Sequence, residues 1–194
     1  VQAAVAAETP HLFTVAEFVT LDTQCRTELL GGVVYDVSPR NEPHRFAVRK
    51  LAEILIHELP RAEYIVQTQD MVAVPGWHGR DAPEVDVAVL KQMRFRPGPK
   101  SSDALTLIEV SHTTYRTDRG YKIPLYVNHG IPSWIVNITM RQVESYVTVE
   151  DLEQPHGRVF AVGETFEVRG VRIAVADLFD DLDGIDENDE EATL

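Results

Sequence analysis

A single cysteine, Cys25, stands among the 194 residues, so no disulfide closes within the chain, and a lone thiol is more often a small packing residue than a nucleophile. Cys and His do not cluster at zinc-ligand spacing, no glycine-rich loop signals a nucleotide, and no G-x-S-x-G elbow signals a serine hydrolase. There is no run of about eighteen apolar residues to cross a bilayer. The opening Val1 to Thr9 is alanine-rich but has no basic n-region, so a cytoplasmic address, with no membrane partner, is the expectation. Bases are also scarce: 18 Lys and Arg face 31 Asp and Glu, for a net charge of −13, which on its face disfavours a nucleic-acid partner.

The distribution of charge changes that reading. Nine of the acids fall between Asp177 and Glu191 with no base among them, which leaves residues 1–176 at only −4. Such a block usually forms a solvated tail; the sharper alternative is a tail that lies over a basic groove and competes with DNA. With 44% apolar and 25% charged residues, the remainder has an ordinary globular composition. The length suits one domain. The expected organisation is an N-terminal extension at 1–12, one α/β domain at 13–176 and an acidic tail at 177–194.

Hydrophobic period supplies the elements. Phe13 to Leu21 reads as a short helix capped by Thr14. TELLGGVVYDVSP reads as a hairpin about Gly31-Gly32, and Phe46, Val48, Leu51, Leu55 and Leu59 mark a four-turn helix. Short strands are expected at Tyr64–Val66 and Met71–Val74, stronger ones at Glu84–Leu90 and Ala104–Ser111, and a helix over Asp118 to His129 with Pro124 near its start. SWIVNI, VESYVTV, RVFAV, TFEV and VRIAV then give a series of short strands. This order predicts an α/β fold: a mixed central sheet flanked by helices, extended by antiparallel strands toward the C-terminus.

Two residues are out of place in these strands. Side chains alternate along a strand, so Glu84, Asp86 and Ala88 share one face of EVDVAVL, and Leu107, Glu109 and Ser111 share one face of ALTLIEVS. Asp86 and Glu109 thus sit mid-strand where an apolar side chain would pack better, and a buried charge is costly without a partner. Singly, each acid reads as the partner of an arginine or as the cap of a backbone group. If the strands are neighbours, about 4.8 Å apart, the two carboxylates converge and suit a hard cation, Mg²⁺ or Mn²⁺. Asp118, Lys122 and Tyr126 follow at spacings of four. They read either as a surface ion pair or as a helix that carries an ammonium over the metal site.

Taken together, Asp86, the IEVS segment with Glu109 and Ser111, the D-x3-K-x3-Y spacing of Asp118, Lys122 and Tyr126, and GIPSW from Gly130 to Trp134 resemble the Uma family of putative restriction endonucleases, within the PD-(D/E)XK nuclease superfamily. ELLGGVVYDVSP, followed by His44, is similar to that family's opening segment, so the resemblance spans roughly residues 13–150. It implies a restriction-endonuclease-like fold, with metal held by Asp86, Glu109 and the carbonyl of Val110. The superfamily's lysine would fall at Ser111; its role passes to Lys122 by the same resemblance. Glu28 matches an acid able to support the metal, and reads equally as a turn contact. Val85 stands in place of the superfamily's proline, and Ser133 and Asn137 replace the usual tyrosine and acid.

His44 reads either as a helix-start residue or as a donor to a phosphate or carboxylate. Arg94, Arg96 and Lys100 form either a solubilising loop or a patch for a DNA backbone. Two functions follow as expectations: a Mg²⁺- or Mn²⁺-dependent endonuclease acting on DNA as a homodimer, or an inactive dimeric module of the same fold that binds nucleic acid or protein and keeps its acids as ion pairs.

Overall fold

The computed structural model describes residues 11–37, 39–180 and 182. Most of the acidic tail and of the N-terminal extension lies outside the described residues. Six strands form the central sheet in sequence order: β3 (Tyr64–Met71), β4 (Glu84–Lys91), β5 (Ala104–Ser111), β6 (Ser133–Asn137), β7 (Gln142–Tyr146) and β8 (Arg158–Ala161). Every neighbouring pair is antiparallel except β5 and β6. Parallel strands need a crossover of a dozen or more residues. Here the crossover is helical from Tyr115 to Asn128: one turn, α3 (Tyr115–Thr117), a wide π turn (Asp118–Lys122), and α4 (Ile123–Asn128).

That helix starts three residues earlier than the sequence spacing predicts, and Pro124 accounts for its irregular middle. With no N–H, proline leaves an upstream carbonyl unbonded, and a wider turn just ahead of it absorbs the break. The expected strands at Tyr64–Val66 and Met71–Val74 are instead one strand, β3, followed by a bend. Gln69, within β3, takes φ 55°, and residues beyond Met71 pair only at isolated bridges such as Val74 with Asp81.

Each face of the sheet has its own core. The helix α2 (Glu42–Glu58) starts at Asn41, whose side-chain oxygen accepts from the His44 N–H, and ends before Pro60. It buries Ala47, Val48, Leu51 and Leu55 against Val87, Val89, Ile108, Val110 and Val136. The hairpin of β9 (Thr165–Val168) and β10 (Val171–Ala174) adds Phe166, Val168 and Ile173 to that core. On the other face, Ile123, Tyr126 and Val127 of α4 cover Ala88, Leu90, Leu107 and Ile135. A smaller cluster joins Val15 and Phe18 of the short helix α1 (Val15–Phe18) to Leu29, Ala73 and Ala82. It seats the hairpin of β1 (Thr27–Leu30) and β2 (Val33–Asp36) against the end of β4. Thr14 caps α1 through a reciprocal box with Glu17.

Candidate active site

Ladder pairing between β4 and β5 runs from Leu90 opposite Ala104 to Val87 opposite Ile108 and goes no further. At the next step the Asp86 carboxylate replaces a backbone acceptor: its Oδ2 receives the Val110 N–H at 2.9 Å. The two acidic strands are therefore neighbours. Asp86 and Glu109 extend the face on which Ala88 and Leu107 pair, and both carboxylates reach the end of the sheet where the strands part.

A ring of partners holds this pair. Asp86 Oδ2 also lies 3.2 Å from His44 Nε2, and its Oδ1 lies 3.6 Å from an Arg40 nitrogen. Glu109 Oε1 accepts from the Tyr126 hydroxyl at 2.6 Å, and its Oε2 is 3.6 Å from Lys122 Nζ. Lys122 comes in from the π turn, donates to the Glu84 carbonyl at 2.9 Å, and meets Glu28 at 3.0 Å and Asp118 at 3.9 Å. Asp118 is fixed by the hydroxyls of Ser111 and Thr114 at 2.7 and 2.6 Å. The Glu84 side chain is clasped by Arg26 and Arg40. Asp86, Glu109 and Lys122 are 7%, 1% and 7% exposed, at the floor of a cavity of about 510 Å³.

Burial drives the electrostatics. It pushes Glu109 well above the usual carboxylate range; Lys122 opposes this, while Asp118 and Asp86 add to it. Burial acts on Asp86 too, but the His44 hydrogen bond and charge, the Val110 N–H and Lys122 outweigh it, and Asp86 is held below its ordinary value. Burial would lower Lys122, yet Glu109, Asp118, Glu28 and Asp86 together raise it, so its ammonium stays charged at neutral pH. Burial raises Asp118, although Lys122 and the hydroxyls of Ser111 and Thr114 pull it down.

Glu28, Glu84, Asp86, Glu109 and Asp118 are five acids; Arg26, Arg40 and Lys122 are three fixed cations. The acids outnumber these Lys and Arg cations by two, with His44 beside Asp86 as a further partner, so the cluster is rich in carboxylates for a cation. Among the described residues no three His, Cys, Asp or Glu side chains are placed as a ready metal cage. Two carboxylates with a backbone carbonyl suit a cation that keeps water or substrate oxygens in its remaining positions. Peptide groups of Leu107 and Ser111 bond toward β6, whereas that of Val110 faces β4. This alternation turns the Val110 carbonyl into the gap beside Asp86.

The structure thus brings Asp86, Glu109, Val110, Lys122, Glu28, His44, Ser111, Asp118 and Tyr126 together. It does not bring Arg94, Arg96 and Lys100 to them. None of those three lines the cavity, and Arg94 and Arg96 follow the end of β4 remote from Asp86. The bases beside the carboxylates are Arg26 and Arg40, which sequence reasoning missed because nothing distinguishes them from solvated surface arginines. Glu84 did carry a signal, since it shares a strand face with Asp86.

A mixed six-stranded sheet that parts at its end around buried carboxylates and a lysine is the frame of a nuclease-like fold. A crystal structure of a putative nuclease belonging to DUF820 from Anabaena variabilis ATCC 29413 has this fold: the TM-score is 0.67 at 16% identity, over 87% of this chain and 98% of that one. The family model described as Uma2, putative restriction endonuclease, matches residues 15–176, and the chain belongs to that family. No curated protein sequence matches it.

Proposed function

We propose that the protein is an endonuclease that hydrolyses DNA phosphodiesters with a divalent cation, Mg²⁺ or Mn²⁺. The observation that carries this reading is the convergence of Asp86, Glu109 and Lys122 in a buried cluster whose acids outnumber its Lys and Arg residues. Asp86, Glu109 and the Val110 carbonyl would hold the metal. A metal bound there supplies Lewis-acid polarisation of the phosphate and a more acidic bound water.

The residues of the chain do the rest. An ammonium has three N–H groups; Lys122 donates one to the Glu84 carbonyl and is paired by charge with Glu28, Glu109 and Asp118, so it keeps donor capacity for an incoming oxygen. Because Lys122 is held protonated, it acts as a donor that orients water or stabilises charge building on the phosphate, and not as the base. His44 fixes Asp86 from one side as Val110 does from the other. The split between a low Asp86 and a high Glu109 separates their roles: Asp86 would hold a cation as a ready carboxylate, and a cation on Glu109 would favour loss of its proton.

A second reading has one observation in its favour: each carboxylate already has a cationic or hydrogen-bonding partner, as a non-catalytic binding module of this fold would need. One experiment separates the two. Supercoiled plasmid and single-stranded DNA are incubated with wild type, Asp86→Asn and Lys122→Met in EDTA, Mg²⁺ or Mn²⁺. Metal-dependent cleavage lost in both variants supports the nuclease. Cleavage retained in the variants, or absent from the wild type in every metal, overturns it.

A further inference from the structure

The chain has fifteen Phe, Trp and Tyr residues, and two of them are exposed, Tyr35 at 49% and Tyr121 at 39%. Both line the cavity over the carboxylates. An exposed aromatic ring costs solvation, and two rings on one cavity, with the other thirteen more deeply placed, call for a ligand face. Their positions are set by the machinery beneath. Tyr35 stands on β2 directly opposite Glu28 on β1, and Glu28 is the carboxylate that meets Lys122. Tyr121 precedes Lys122 in the π turn, and its hydroxyl donates to Asp81 at 2.6 Å. Asp81 also accepts the Gly31 N–H at the tip of the β1–β2 hairpin, at 2.7 Å, so the second ring is tied to the element that bears the first. Leu30, Val37 and Pro39 add an apolar lining between the rings and the acids.

Access points the same way. The reacting groups lie at the bottom of the cavity, nearly closed to solvent, whereas a phosphodiester within a stacked duplex follows a smooth convex contour and does not enter a pocket without being drawn out of it. The cavity is also poor in cations for a long backbone footprint. Of its basic lining residues, Arg40 and Lys122 are engaged with Glu84, Asp86, Glu28 and Glu109, and Arg116 stands exposed on the rim.

Resting on the nuclease reading above, we propose that the substrate is an unstacked stretch of single-stranded DNA, one of whose bases stacks on Tyr35 with Tyr121 as the facing wall, so that its phosphate descends onto Asp86, Glu109 and Lys122. Stacking on aromatic faces is tolerant of sequence, because every base has a π face. Recognition is then by strandedness rather than by base identity.

Binding and cutting are tested separately. In EDTA, fluorescence anisotropy is read for a labelled 12-nucleotide single strand and for the blunt duplex of the same sequence. The single strand is expected to bind at least tenfold more tightly. Tyr35→Ala should weaken it by about 5- to 100-fold while Tyr35→Trp retains it, and the log–log salt slope should be near −1, the value for one or two phosphates at about −0.7 each. Tyr121→Phe, which keeps the ring and loses the Asp81 bond, should bind better than Tyr121→Ala. A 2-aminopurine placed in the strand should be quenched by wild type and not by Tyr35→Ala. Equal or tighter binding of the blunt duplex, or single-strand binding indifferent to Tyr35→Ala with the fold intact by circular dichroism, overturns the inference. Tyr35-dependent binding without cleavage in any metal sustains it and overturns the nuclease reading instead.

Discussion

The Lys122 ammonium and the Glu28 carboxylate, ninety-four positions apart in the chain, meet at 3.0 Å beneath the β1–β2 hairpin. This pair joins the first strand of the chain to the crossover helix, and both members are almost wholly buried. Removal of the cation leaves Glu28, Glu109 and Asp118 without their shared partner. Lys122→Met is therefore expected to lower stability in EDTA by about 3–5 kcal/mol, the usual consequence of stranding a buried charge. Mn²⁺ should restore part of the loss. Urea denaturation with and without Mn²⁺ checks this; an undiminished midpoint in EDTA would count against the cluster as drawn.

The raised Glu109 makes the metal-free protein sensitive to pH in a definite direction. A carboxyl whose folded value lies above its unfolded 4.5 binds more protons in the native state between the two values, so stability falls as pH rises through that window. Asp86, held low, has the opposite sign: its contribution is present above 3.8 and is lost as pH falls through its folded value. Thermal melts in EDTA should thus show stability declining from about pH 4.5 upward, and Glu109→Gln should flatten the decline. Calorimetry of Mn²⁺ binding in buffers of different ionisation enthalpy should show proton release in wild type and much less in Glu109→Gln.

His44 touches the Asp86 carboxylate. Its Nε2 lies 3.2 Å from Oδ2, while its Nδ1 is buried without a hydrogen-bond partner, so the ring is retained for one contact. His44→Ala is expected to reduce Mn²⁺ affinity by about 10- to 100-fold, the range for loss of a group that orients a metal ligand. Paramagnetic resonance titration of Mn²⁺ measures it. Unaltered affinity would assign His44 to helix packing alone.

Glu144 heads a second polar cluster behind the first. Fully buried on β7, it accepts from the hydroxyls of Tyr115 and Tyr146 at 3.0 and 2.6 Å and from the side-chain amides of Asn137 and Gln142 at 3.3 and 3.0 Å. Tyr115 opens the crossover helix, so this carboxylate anchors the arm that delivers Lys122. Glu144→Ala leaves several buried donors unsatisfied and should cost about 3 kcal/mol or more. Glu144→Gln, which keeps the shape and some acceptor capacity, should cost less. Chemical denaturation of the two variants orders them.

Much of this site could be read from the sequence because it violates the rules that the rest of the chain obeys. In strands as apolar as EVDVAVL and ALTLIEVS, alternation sets both the strand bounds and the face, and an acid on that face is conspicuous. Ala104–Ser111 came out residue for residue. What could not be read depends on long-range closure. Arg26 and Arg40 acquire meaning only when the hairpin folds over β4, and Asp81 only when the segment after β3 bends back to Gly31. The π turn was hidden for a different reason: a spacing of four between Asp118 and Lys122 looks the same in a regular helix, and the effect of Pro124 on the turn before it is a matter of backbone bonding rather than of side-chain pattern.

The parallel pairing of β5 with β6 has a kinetic consequence. Its two strands cannot zip from a tight turn, and pairings that close a long segment form slowly. Lys122 rides on the segment being closed, between β5 and β6, so a refolding chain gathers Asp86 and Glu109 on an antiparallel ladder before their ammonium arrives. In stopped-flow refolding, far-UV ellipticity should recover ahead of Mn²⁺ binding, and the interval between the two is the time taken to dock the crossover.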